Sequence, residues 1–201
     1  MLDNFFTGDD FPWVYHIVKM RYFFGDGLAE RYTWMGSTLS FYVDLLISGT
    51  NPWGYNATNL FIHLVNSTLV GFLGYCLTRD IWPGLLTMGL WGINAQGVEA
   101  VLWKTGRGHS LALLCILGAL VSFIAWDQKK TYWFYILALF SAICAHLTLF
   151  NAVMLPAILC SYLLIFKGFP KKVRQLMAYI KVLLPFMAIT GGYLYLYLFV
   201  F

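Results

Sequence analysis

Two adjacent carboxylates, Asp9 and Asp10 in Thr7-Gly8-Asp9-Asp10-Phe11, form the first pair in the chain able to do chemistry together. As a pair they can act as a general base toward a hydroxyl or give oxygen ligands to a divalent cation, and Asp is equally at home in a solvated turn or at a helix N-cap. Further on, Asn56, Asn59, His63 and Asn66 recur at spacings that place them on one helical face. In a bilayer-spanning helix such a face meets protein or water, and its ordinary use is hydrogen bonding across a helix-packing interface. His63 and His146 are also conceivable axial ligands for haem or a chlorophyll-type pigment, with no second ligand or attachment motif beside either. Glu99 and Arg107 lie in the loop 94–109. Gly106-Arg107-Gly108 offers a guanidinium that can clamp a lipid phosphate or extend to headgroups as an interfacial side chain. No strand precedes this G-x-G, so it is no nucleotide fingerprint, and no Ser-His-Asp or Cys-His arrangement is readable.

The elements that must position these residues are membrane helices. Of 201 residues, 60% are hydrophobic and 11% charged, with mean hydropathy +0.70, whereas a soluble globular domain carries about 25% charged residues. That excludes a water-soluble domain, a disordered chain and a nucleic-acid binder. Cys76, Cys115, Cys144 and Cys160 sit in apolar stretches without metal-site spacing and read as packing residues. With Asp3, Asp9 and Asp10 in the first ten residues, no cleavable signal sequence opens the chain.

Apolar runs predict about six spans, at 56–78, 82–96, 108–126, 132–148, 152–167 and 179–201. The second is broken by Pro83, Gly84, Gly89 and Gly92 and reads as kinked or partly re-entrant. With residues 1–55 outside, the short inward loops hold Arg79, Lys129, Lys130, Lys167, Lys171, Lys172 and Arg174, against Lys104 and Arg107 in the short outward ones. The positive-inside rule therefore places 1–55 on the extracytoplasmic side, of a bacterial inner membrane or its equivalent. This segment carries two predicted interfacial helices, near 11–24 and 38–48. The chain divides into an extracytoplasmic part, 1–55, and a helix bundle, 56–201.

Two longer passages resemble a family. Asn51-Pro52-Trp53-Gly54-Tyr55-Asn56-Ala57-Thr58-Asn59-Leu60-Phe61-Ile62-His63-Leu64-Val65-Asn66 resembles the "NPxGYHxxNLLLHLLN" run of GT-C superfamily membrane glycosyltransferases, of the protein O-mannosyltransferase type. Val98-Glu99-Ala100-Val101-Leu102-Trp103-Lys104-Thr105-Gly106-Arg107-Gly108-His109 is similar to that group's "VEAVAWISGRGD", and Asp9-Asp10 stands where the group places its acidic motif. The resemblance implies an all-α, polytopic GT-C-like bundle and transfer of a sugar from a polyprenyl-phosphate donor to an extracytoplasmic acceptor. Asp9 or Asp10 would then activate the acceptor or position a divalent cation, and Glu99 and Arg107 would border the donor phosphate.

The departures count against intact chemistry. The group's "HP" appears as Asn94-Ala95, its "SGRGD" ends in His109, and its "SKETALxLP" loop reads Thr148-Leu149-Phe150-Asn151-Ala152-Val153-Met154-Leu155-Pro156. Leu149 and Phe150 replace a Lys and a Glu suited to phosphate handling, and losing such charges removes transition-state stabilisation. Family members also have a helix ahead of the acidic loop and more helices in all, as a longer parent sequence would supply. The leading expectation is an accessory or scaffolding subunit of a larger membrane complex, in contact with lipid bilayer and other membrane subunits. Second stands a working glycosyltransferase, and third a pigment- or haem-binding subunit.

Overall fold

The computed structural model describes residues 35–94 and 101–199, which form seven α-helices and two 3-10 turns, with no strand among the described residues. In chain order the helices are α1 (Met35–Ser48), α2 (Pro52–Thr78), α3 (Ile81–Gly92), α4 (Arg107–Lys129), α5 (Tyr132–Thr148), α6 (Leu155–Lys167) and α7 (Val173–Phe199). The 3-10 turns are Lys104–Gly106 and Phe150–Met154. This is the all-helical membrane architecture that the apolar runs predict.

The number of spans is smaller than the expected six. Four segments are long and apolar enough to cross a membrane: Pro52–Thr78, Arg107–Lys129, Phe150–Lys167 and Val173–Phe199. The shortfall is one of length. In place of the span at 82–96, α3 has 12 residues, about 18 Å of helix against a hydrocarbon layer of ~30 Å. α5 is continuous and apolar but has 17 residues, about 26 Å. The expected helix at 38–48 is present as α1; the segment 11–24 lies outside the described residues.

Side chains at the ends set the helix limits. Asn51 and Asp80 accept hydrogen bonds from the amides of Trp53 and Trp82, both at 3.1 Å, capping α2 and α3, and Pro52 starts α2 where a missing N–H is harmless. α2 and α4 end on Arg79 and Lys130 in the left-handed region, φ 60° and 55°, each amide bonding back four residues. Both place a cation just past a helix C-terminus, where the macrodipole favours it.

α2 and α3 run antiparallel with their backbones in near contact. A Cβ added to Gly84 would stand 2.8 Å from the Gly71 carbonyl oxygen, and one on Gly74 2.7 Å from Thr87 Oγ1. Small residues at such a crossing give dispersion contacts that larger ones would block. A second packing centre joins α4, α5, α6 and α7 around Ala119, Phe123, Ala138, Leu159 and Phe186. Phe186 meets Phe123 and Tyr135 edge to face, each at 5.8 Å. In the turn before Pro185, the Val182 carbonyl accepts the Tyr135 hydroxyl at 2.8 Å, tying α5 to α7 next to the Lys181 carbonyl, whose helical donor the proline removes.

Gly84→Leu is expected to wedge α2 and α3 apart and destabilise the fold by about 1–3 kcal/mol, seen as a lower unfolding midpoint in detergent. Gly89→Ala, whose new methyl meets nothing within 4 Å, should leave the midpoint unchanged or raise it slightly.

Candidate functional site

Polar residues on α1, α2 and α4 converge on the guanidinium of Arg107, which has no exposed surface. Its position in the first turn of α4 is electrostatically poor, because the helix N-terminus already carries partial positive charge. Asp44 of α1 offsets this: its Oδ2 lies 2.6 Å from Arg107 Nη2, and both side chains are buried. The contact is coulombic rather than a well-aligned hydrogen bond, and Arg107 Nη1 makes none. Arg107 Nε donates to Asn59 Oδ1 at 2.6 Å, and Nη2 donates to the Tyr55 carbonyl at 2.9 Å. Thr58 donates its hydroxyl to Asp44 Oδ1 at 2.7 Å. The cation stacks 4.2 Å from the Phe41 ring centroid.

The rest of the α2 stripe continues down the same face. Asn56, Asn59, His63 and Asn66 are all buried. Asn59 donates to the Val101 carbonyl at 3.4 Å and Asn66 to the Ser110 carbonyl at 2.8 Å, so the stripe binds α2 to the start of α4. His63 Nε2 lies 3.1 Å from the Gly92 carbonyl oxygen; a carbonyl only accepts, so this nitrogen carries the proton and holds the end of α3.

His146 is similarly committed. Nδ1 lies 2.8 Å from the Ala142 carbonyl and so is the protonated nitrogen, which leaves Nε2 to accept the Thr190 hydroxyl at 3.0 Å. Both ring nitrogens of His146 are engaged, so axial ligation of a haem or pigment through it would require breaking one of these bonds; in His63 the bond to Gly92 takes up Nε2. Among the described residues no three His, Cys, Asp or Glu side chains converge as a metal group would need. Asp9, Asp10 and Glu99 lie outside the described residues. Of the predicted site residues, the structure therefore joins Arg107 directly to Asn59 and seats Asn56, His63 and Asn66 along the same helix face.

Two charged residues escape a sequence reading that looks for catalytic motifs. Asp44 sits in Phe41-Tyr42-Val43-Asp44-Leu45-Leu46-Ile47, and a lone carboxylate in an apolar run is itself a signal that a buried cation waits elsewhere. Asp127, near the far end of α4, binds Lys130 Nζ at 2.8 Å, Lys167 Nζ and the Tyr162 hydroxyl. Twenty positions apart along α4, the Arg107 and Asp127 clusters stand about 30 Å from each other, one hydrocarbon thickness.

Comparison with known proteins adds one partial likeness. Over 87 residues the chain is 31% identical to the Drosophila melanogaster protein O-mannosyl-transferase Tmtc2; the matched region covers 43% of this chain and 9% of that protein. The chain thus spans a small fraction of that relative's length. No family profile and no solved structure matches it significantly.

Breaking the buried pair with Asp44→Ala or Arg107→Ala is expected to cost about 3–5 kcal/mol, because each leaves the other charge uncompensated. Asp44→Asn with Arg107→Gln should cost less than the sum of the two single changes, measured as a double-mutant cycle on detergent unfolding midpoints. The purified protein should show neither a Soret nor a chlorin band in its absorbance spectrum.

Proposed function

We propose that this integral membrane protein is an accessory or scaffolding subunit of a larger membrane assembly, built on a GT-C-like helical fold and not itself the centre of sugar transfer. One observation carries the reading. Arg107, which in the resembling motif would border a donor phosphate, is sealed from the surface and its charge is spent on Asp44. A cation neutralised within the scaffold has little field left for a phosphate. The apolar Leu149 and Phe150 support the same conclusion: Leu149 is buried, and Phe150 packs on Tyr193 and Tyr197. Residues 1–55 would face the extracytoplasmic side. The relative is an animal protein, so the bacterial placement gains nothing from it.

A second reading is favoured by the likeness to an O-mannosyl-transferase: a glycosyltransferase taking a sugar from a polyprenyl-phosphate donor, with Asp9 or Asp10 as general base or cation ligand and Glu99 at the donor. The two separate in one assay. Purified protein incubated with polyprenyl-phosphate mannose or glucose and a peptide acceptor is expected to transfer no sugar above background, and to co-purify from its membrane with other subunits in fixed ratio. Transfer that vanishes in Asp9→Asn or Asp10→Asn would overturn the scaffold reading.

A further inference from the structure

The loop between α6 and α7 gathers charge that the Arg107 centre does not use. Lys167, Lys171, Lys172 and Arg174 occur within eight residues. Lys167 is paired with Asp127, but among the described residues no carboxylate lies within ion-pair reach of Lys171, Lys172 or Arg174. Unbalanced cations at the end of two apolar helices are a substantial local field. The loop also has shape: a concavity of about 530 Å³ is lined by Lys167, Gly168, Phe169, Lys171, Gln175 and Tyr179, among others.

Its walls are fixed from within. The Tyr179 hydroxyl donates to the Gly168 carbonyl at 3.2 Å, and the Lys171 amide donates to Gln175 Oε1 at 3.0 Å, so the loop is pinned to the first turns of α7. Around the mouth the surface is apolar: Phe169, Val173 and Ile165 are each about three-quarters exposed. A soluble anion would find no use for that collar, whereas an amphiphile would lay its chains along it.

We propose that this corner binds the phosphate of an anionic phospholipid, with Lys171 and neighbouring cations on the phosphoryl oxygens, Tyr179 beside the headgroup and the acyl chains against Phe169, Val173 and the outer face of α7. The position suits the assignment. Asp127 and Lys167 place the loop at the opposite end of α4 from Arg107, the end that the charge pattern makes cytoplasmic and where basic side chains meet anionic headgroups. Arg107 plays no part, so the site stands whether or not the chain transfers sugar.

The test uses the full chain in detergent and in nanodiscs. Native mass spectrometry should find phosphatidylglycerol retained over phosphatidylcholine of equal chain length. Lys171→Gln, in the lining of the concavity, together with Lys172→Gln and Arg174→Gln beside it in the chain, should cut that preference by roughly a hundredfold, at about fivefold for each cation removed. Lys129→Gln removes a basic charge from the same side but from outside the cavity, where Lys129 rests on Phe134 at 5.4 Å, and should leave retention unchanged. Equal retention of the two lipids, an unchanged preference in the triple variant, or an equal loss in Lys129→Gln would overturn the site. Displacement of the lipid by millimolar inorganic phosphate would also overturn it, since the occupant would then be the free anion.

Discussion

A guanidinium with no exposed surface organises the end of the bundle where α1, α2 and α4 meet. Arginine stays protonated when buried, so the fold has to bring counter-charge and acceptors to Arg107. Asp44 comes from α1, Asn59 and the Tyr55 carbonyl from α2, and the Phe41 ring covers the open face. Three helices are thereby held in one register. Apolar packing alone would allow α1, which is short, to slide along its neighbours. The ion pair need not add net stability over an apolar replacement to do this, because its effect is to make other registers expensive.

The same helix carries the counterpart at its other end. Asp127 gathers Lys130, Lys167 and Tyr162, joining α4, the α4–α5 turn and α6. α4 is thus pinned near both of its ends by opposite devices, a cation drawn in at one end and an anion drawn in at the other. Between them the contacts are small and aromatic, with Ala119, Ala138 and Ala142 letting α4 and α5 approach and Phe123 filling the space toward α7.

Much of this was legible in the sequence, for reasons that are physical. The fold class followed from the scarcity of charge, and the face made by Asn56, Asn59, His63 and Asn66 followed from helical spacing, since polar groups in a bilayer must find partners. Span count was less legible because hydropathy does not reveal where a helix stops. Gly92 and Ile93 look as suited to lipid as the residues before them, yet α3 ends there. The partner of Arg107 was also hidden. Asp44 lies 63 positions away, and nothing in a linear chain says which buried anion meets which buried cation. Motif resemblance drew attention to Arg107 as a group facing a ligand, while the structure gives its donors to the protein's own helices.

The termination of α3 sets a condition on the helix beside it. α3 starts beside the end of α2 and runs back along it, past Gly74 and Gly71, until its Gly92 carbonyl meets His63, near the middle of α2. Lipid tails cannot solvate a carbonyl at that depth, and the end of α3 is closed from within: the Gly89 and Trp91 carbonyls accept the amides of Ile93 and Asn94, and the Gly92 carbonyl is held by His63. The imidazole of His63 thus does for the end of α3 what water does for a helix end at a surface, and it ties the depth at which α3 stops to one position on α2.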